Sequence, residues 1–208
     1  YRSKNFFVMP GLGQFLPGYF LIIPFDHIMS TAELSSPDLL SELLEVIEDI
    51  KYILKITYCT DQILVWENGT GNGGYGKAKD SIVHAHVHLI PSTLTPQSIK
   101  CMSGFSFKEI TDNELMDYGE RSYLLLKGNN SDYWFINDDP ELYIPRQYIR
   151  QLLADEHDLK GEVWNWREYM FTEEIIKTMK SVNDALKSNW TTLPKRIQER
   201  VFPFINNV

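Results

Sequence analysis

The run Ser81-Ile82-Val83-His84-Ala85-His86-Val87-His88-Leu89-Ile90-Pro91-Ser92 decides how the rest of the chain is interpreted. From His84 to His88 every second residue is histidine, and the residues between and after them are apolar. This alternation is typical of a β-strand. Successive side chains on a strand point to opposite faces, so the histidines would share one face while their apolar neighbours enter a core. The run predicts a strand that displays imidazole on one face.

Three explanations for these imidazoles remain open. Residues two apart on a strand are roughly 6.6 Å apart, and zinc holds nitrogen at about 2.0–2.1 Å, so neighbouring histidines could share a metal but all three hardly could. Such a site would need further ligands, for example Asp80 or His27, and we expect no metal. The strand could also carry histidines without a chemical role. We favour phosphoryl chemistry, in which a neutral imidazole attacks phosphorus and its neighbours donate hydrogen bonds to the oxygens.

Composition narrows the class of protein. The chain has 208 residues and is 43% hydrophobic, which is enough for a sizeable core. No apolar run approaches the roughly 20 residues of a membrane helix, so we expect no membrane association. The net charge is −8 without a long basic stretch, which argues against binding to extended nucleic acid. The only cysteines, Cys59 and Cys101, lack CxxC spacing, and a reducing, cytoplasmic location is expected.

Patterning predicts strands at residues 5–9, 19–23 and 62–67, with a long helix between the second and third. Ser36 and Pro37 suit the start of that helix, and apolar residues recur at helical spacing from Leu39 to Ile56. The acidic residues between them are expected to form a solvated face: Glu42, Glu45, Glu48 and Asp49.

The histidine run also carries a resemblance. From His84 to Ile90 it meets the pattern His-φ-His-φ-His-φ-φ, where φ is apolar, and it resembles the defining motif of the histidine-triad (HIT) family. Upstream, residues 6–10 and 16–24, ending at Asp26-His27, are similar to the strand pair before the triad in that family. The resemblance implies an α+β fold: a HIT-like antiparallel sheet with a long helix in residues 1–95. A mixed α/β extension, residues 96–208, would pack on it.

The resemblance implies hydrolysis or transfer at the α-phosphate of a nucleotide or nucleoside-phosphate compound. His86 would attack phosphorus and form a covalent nucleotidyl-histidine intermediate, His88 would stabilise the phosphoryl oxygens, and His84 would orient the site. Ser81 would assist the leaving group. No cofactor is implied, the attack needs no metal, and a homodimer is possible. The alternative function is a non-catalytic nucleotide-binding module.

Other binding candidates surround the triad. The loop after the third strand is rich in glycine, and Gly73 and Gly74 would let backbone N–H groups approach a phosphate, although a flexible hairpin connection is also open. Ala78 stands where a P-loop needs Ser or Thr, so that motif is rejected. Asn68 resembles the polar residue that starts this loop in HIT proteins. His27 is either a ligand-binding or a surface residue.

Two residues depart from the family pattern. Tyr19 stands where many HIT proteins carry another active-site histidine, and it is retained as a candidate for nucleotide or phosphate binding. Gly11 falls where several relatives place an acidic or amide side chain on the ribose. Recognition of ribose in that manner is therefore not expected in this chain.

The C-terminal half carries less information. Strands are predicted at residues 105–110, 122–127 and 133–136, and helices at 143–156 and 172–187. We expect Arg150, or one of Arg146 and Arg167, to bind phosphate, because a guanidinium makes bidentate contacts. Ion pairs at the surface are the alternative for each of them.

Overall fold

One sheet runs through both halves of the chain. The computed structural model describes residues 1–70, 82, 84–127, 133–139, 144–145 and 147–205. Its strands are β1 (Phe6–Pro10), β2 (Phe20–Pro24), β3 (Ile63–Gly69), β4 (Val87–Pro91), β5 (Lys108–Ile110), β6 (Tyr123–Lys127) and β7 (Trp134–Asn137). Its helices are α1 (Pro37–Tyr58), α2 (Pro96–Ser103), α3 (Tyr148–Glu156), α4 (Thr172–Ser188) and α5 (Lys195–Ile205). The strands pair antiparallel in the order β1-β2-β4-β3-β6-β7-β5, which confirms the α+β class.

The ladder between β3 and β6 joins the two halves. Val65 is opposite Lys127 at one end, and Gly69 is opposite Tyr123 at the other. Strands β7 and β5 continue the sheet beyond β6. Strands from before and after residue 95 therefore share one sheet, while a domain boundary at residue 95 stays a prediction.

Helix α1 covers one face of the sheet. The Ser36 side chain accepts a hydrogen bond from the Leu39 N–H at 3.3 Å, and the helix ends at Tyr58, before Cys59 in the left-handed conformation with φ of 54°. Its buried apolar residues share a cluster with β2, β3, β4, α4 and α5: Leu40, Leu43, Val46, Ile47, Ile50, Ile53 and Leu54. Neither α1 nor any other helix in the described ranges is long and apolar enough to cross a membrane.

The other face of the sheet is covered by the C-terminal half. Helices α2 and α3 bury apolar residues such as Ile99, Ile149 and Leu153 in a second cluster, which includes Leu21 and Trp66 of the sheet. His88 lies opposite both Leu21 and Trp66 in the strand register, so it lies on this same face. Residues beyond 95 therefore cover the face of the sheet that carries His88.

Two helices were missed from sequence. Helix α2 begins with a capping box, in which Thr95 and Ser98 exchange hydrogen bonds of 3.1 and 2.8 Å, and Pro96 fills its first turn. This capping box with a following proline is a sequence signal for the start of a helix. Helix α5 contains Pro203, which argues against a helix when the sequence is read alone. Two further boundaries differ: β5 covers only the end of the predicted strand 105–110, and α3 begins at Tyr148 instead of residue 143.

The expectation of a solvated acidic face on α1 is wrong for Asp49, because only 1% of this residue is exposed. Helix α5 brings two arginines to it. Arg196 Nε lies 3.0 Å from both carboxylate oxygens, and Arg200 Nη1 lies 3.0 Å from Oδ2. The Tyr1 hydroxyl donates to Oδ2 at 2.5 Å. A carboxylate is buried only when it is paired, so charge pairing fixes α5 on α1.

We expect Asp49→Asn to lower the free energy of unfolding by about 1–2 kcal/mol, since charge-assisted hydrogen bonds are lost but water reaches the partly exposed arginines. Glu48→Gln is the matched control on the same helix: its partner Lys51 lies at 2.8 Å and the glutamate side chain is 59% exposed. That control should change stability by less than about 0.5 kcal/mol. Urea unfolding measures both. Equal losses in the two variants would contradict a structural role of the Asp49 cluster.

Glu67 is a second buried carboxyl, on the face of β3 that α1 covers. Its Oε1 accepts a hydrogen bond from the Thr31 N–H at 2.8 Å, and its Oε2 contacts the Thr31 hydroxyl and accepts from the Tyr123 hydroxyl at 2.7 Å. Burial raises the pKa of Glu67 to about 7, against the lowering effect of these hydrogen bonds. The nearby Glu33 carboxylate adds to the rise in pKa. Glu67 thus anchors the segment between β2 and α1.

The raised pKa of Glu67 predicts a pH-dependent stability. A carboxyl whose folded-state pKa exceeds its unfolded-state value stabilises the fold at low pH, and this stabilisation is lost as pH rises through the folded pKa. From the usual 4.5 to about 7, the loss amounts to about 3 kcal/mol between pH 4 and 8. The difference in unfolding free energy between wild type and Glu67→Gln should fall by that amount over this range.

The control for this pH series is Glu109→Gln, which changes an exposed glutamate on β5. Its difference from wild type should stay constant with pH. A constant difference for Glu67→Gln as well would show that Glu67 titrates as an ordinary carboxyl.

Candidate functional site

The histidine run enters the sheet later than predicted. Strand β4 begins at Val87, so His88 lies in the strand while His84 and His86 precede it, and the prediction of a continuous strand from His84 is wrong. The rings separate into two contacting pairs. His86 and His88 have ring centroids 4.6 Å apart, and His84 meets the ring of His27 edge-on at 4.9 Å.

Pro24 gives the physical reason for the late start. The register between β2 and β4 pairs Ile22 with Val87, and two residues further along β2 the chain reaches Pro24, which has no N–H to donate. The Pro24 carbonyl instead lies 2.9 Å from His84 Nε2. The N–H of Ala85 leaves the ladder and donates to the Ile28 carbonyl at 2.8 Å. His84 is thereby held at the end of β2, where its ring contacts that of His27.

His86 has a defined proton arrangement. Its Nδ1 lies 2.7 Å from the carbonyl oxygen of His84. A carbonyl oxygen only accepts hydrogen bonds, so Nδ1 carries a proton. Burial lowers the pKa of His86, the charge of His84 lowers it further, and the hydrogen bond to the carbonyl opposes this. A neutral His86 protonated on Nδ1 has its lone pair on Nε2.

His88 is buried in an aromatic stack. Its ring lies parallel to that of Trp66 at 4.5 Å between centroids, with 4° between the planes, and Trp66 in turn stacks on Tyr19 at 5.8 Å. The Tyr19 hydroxyl lies 2.6 Å from His88 Nδ1. Burial lowers the pKa of His88 well below its ordinary value, and the charges of His86 and Arg150 lower it further. Trp66 was missed from sequence, although its place two residues before Asn68 on a predicted strand was the available signal.

Tyr19 and Gly11 form one feature. The Gly11 N–H donates to the Tyr19 carbonyl at 2.9 Å, and a Cβ at Gly11 would lie 2.3 Å from Cδ1 of the tyrosine ring. Any side chain at position 11 therefore collides with the ring at position 19. The residues at positions 11 and 19 are thus sterically coupled.

Three other predicted residues have distinct surroundings. His27 is exposed. Among the ring contacts of the described residues, its ring contacts only that of His84. Asn68 lies on β3, two residues after Trp66 and on the same face, and its buried Oδ1 has no hydrogen-bond partner within the described part of the chain. Ser81, Gly73 and Gly74 lie outside the described residues. Roles in nucleotide or phosphate binding stay predictions for all of them.

The arginines of the C-terminal half occupy different positions. Arg150 is 5% exposed, and its donors reach the carbonyls of Trp164, Leu12 and Gly13 at 2.7, 3.4 and 2.5 Å. Its guanidinium lies 5.3 Å from the centroid of the Tyr19 ring. Arg167 is exposed and lies 5.3 Å from the Trp166 ring centroid, and Arg146 is outside the described residues. Phosphate binding by Arg150 stays a prediction.

Metal binding was an open explanation of the imidazoles. Within the ranges that the structure describes, no group of three or more His, Cys, Asp or Glu side chains could hold a metal ion. Asp80, one of the suggested extra ligands, lies outside those ranges. Hydrogen bonds engage Nδ1 of His86 and Nδ1 of His88, so a ligand would meet these two rings through Nε2.

Comparison with known proteins gives structural similarities at low identity. No family model matches the chain, and no curated protein matches it. A hypothetical histidine triad nucleotide-binding protein from Sulfolobus tokodaii is similar over 91% of this chain and 83% of its own, with 16% identity and a TM-score of 0.43. A Hit-like protein involved in cell-cycle regulation from Bartonella henselae, with unknown ligand, covers 56% of this chain and 82% of its own, with 16% identity and a TM-score of 0.36. Both TM-scores lie below 0.5, so these likenesses do not assign a family.

Proposed function

We propose that this chain is a nucleotide phosphohydrolase or nucleotidyltransferase that acts at an α-phosphate through a covalent nucleotidyl-histidine intermediate on His86. The observation that supports it most directly is the 2.7 Å contact between His86 Nδ1 and the His84 carbonyl oxygen. This contact holds the proton on Nδ1 and leaves the lone pair on Nε2, as a nucleophilic imidazole requires. The motif from His84 to His88 supports the same proposal by its resemblance to the HIT family.

The reaction has two steps. His86 Nε2 forms a bond to the α-phosphorus, and the bond from phosphorus to the leaving group breaks with its electron pair, which takes a proton from water while the Ser81 hydroxyl donates a hydrogen bond to the leaving group. Water or a second acceptor then adds to phosphorus, its proton passes to solvent, and the Nε2–P bond returns its electrons to His86. The ring is an imidazolium while the bond to phosphorus exists.

The His84 carbonyl stabilises the covalent intermediate as well as the free protein. Its hydrogen bond to Nδ1 favours the charged form of His86, whereas burial disfavours that form. A carbonyl that accepts from Nδ1–H therefore stabilises the positive charge as the Nε2–P bond forms. Because this acceptor is a backbone atom, no side-chain substitution at residue 84 removes it.

The first experiment is a search for the covalent intermediate. The protein is incubated with adenosine and guanosine compounds labelled at the α-phosphate and quenched in base, in which phosphohistidine survives, and mass spectrometry locates the nucleotidyl group. We expect an adduct on His86 that is absent from His86→Ala, and turnover lower by at least about 10³-fold in that variant.

The control is His157→Ala, which removes an exposed histidine at the end of α3. This variant should form the adduct as wild type does. Turnover retained by His86→Ala would overturn the proposed nucleophile. Compounds that bind without any adduct or turnover would instead favour the non-catalytic nucleotide-binding module.

A further inference from the structure

The segment between β1 and β2 is held by the C-terminal half of the chain. The Gly13 carbonyl accepts from Arg150 of α3 at 2.5 Å, and the Gly13 N–H donates to the Met170 carbonyl at 3.2 Å. At the other end of the segment, the Gly18 N–H donates to the Thr178 hydroxyl of α4 at 3.1 Å. The next residue is Tyr19. Helices from beyond residue 95 thus determine where this tyrosine lies.

The ring of Tyr19 has little freedom to move. It is 4% exposed, it presses on the backbone of Gly11 where a Cβ would come within 2.3 Å, and it stacks on Trp66 with 4° between the planes. Arg150 lies over the same ring at 5.3 Å from its centroid. A ring fixed on several sides keeps its hydroxyl at one place beside His88.

The hydrogen bond between Tyr19 and His88 has a defined direction. Burial raises the pKa of Tyr19, so the phenol keeps its proton, although the charge and hydrogen bonding of Arg150 oppose the rise. A buried hydroxyl needs an acceptor for its hydrogen, and His88 Nδ1 is the hydrogen-bond partner that the Tyr19 hydroxyl meets, whereas the nearby Arg150 guanidinium only donates. His88 is neutral, because burial and the charges of His86 and Arg150 lower its pKa. Nδ1 of His88 is therefore the acceptor.

We infer that Tyr19 is a positioning residue: by donating to Nδ1 of His88 at 2.6 Å it keeps the His88 proton on Nε2, where it can be donated to a phosphoryl oxygen. This inference rests on the proposed function. It gives His86 and His88 opposite tautomers, because the His84 carbonyl accepts from one ring and the Tyr19 hydroxyl donates to the other. One Nε2 then offers a lone pair and the neighbouring Nε2 offers a proton, which is the pairing that attack on a phosphate requires.

The decisive variant is Tyr19→Phe, which keeps the ring and its stacking but removes the donor. Long-range proton–nitrogen NMR reports which nitrogen of His88 carries the proton. In wild type we expect a single tautomer protonated on Nε2, and in the variant a mixture of both. Turnover should fall about 10- to 100-fold, mainly in kcat, while the adduct still forms on His86.

Tyr58→Phe is the matched control, because Tyr58 also donates to a neighbour of this segment, the Thr178 hydroxyl, at 3.4 Å. It should leave the His88 tautomer and kcat unchanged. A wild-type His88 protonated on Nδ1 would overturn the inference without any variant, as would a Tyr19→Phe protein with an unaltered tautomer. The wild-type spectrum requires no turnover, so it separates failure of this inference from failure of the proposed function, which absence of the His86 adduct would reveal.

Discussion

The ladder between β3 and β6 is the constraint on which the rest of the structure depends. It carries the sheet past residue 95 and so fixes where the following helices can pack. Helix α3 lies on the face that bears His88, and α4 lies with α1 on the other face. Both helices then reach the same segment, residues 11–18, through Arg150 and Thr178. The C-terminal half is therefore part of the candidate site and not a neighbour of it.

This arrangement determines which nitrogen of His86 and of His88 carries the proton. Imidazole has two nitrogens of similar basicity, and in water its proton exchanges between them. Around His86 and His88 the choice is made by one acceptor, the His84 carbonyl, and one donor, the Tyr19 hydroxyl. Burial lowers the pKa of both rings and so favours their neutral forms, which carry a single proton. His86 and His88 therefore differ chemically because their hydrogen-bond partners differ.

Periodicity in the sequence predicted helix α1 and most of the strands, because burial of one face repeats every two or 3.6 residues, but it did not reveal α2 or α5. It failed where a long-range partner overrides the local pattern. Asp49 fits a solvated helix face until α5 supplies two arginines, and the alternation from His84 fits a strand until Pro24 ends the ladder opposite it. The tautomers of His86 and His88 could not be predicted from the sequence either. They depend on Tyr19 and on a backbone carbonyl, and only the fold brings these groups to the two rings.

The contact between Gly11 and Tyr19 limits how this chain can change. A side chain at position 11 is excluded while the ring occupies position 19, and a smaller residue at position 19 leaves a space that a side chain at position 11 could fill. Neither replacement is accommodated well alone, because the first collides and the second removes the partner of His88. The two positions are therefore sterically coupled, so a polar side chain at position 11 requires a simultaneous change at position 19.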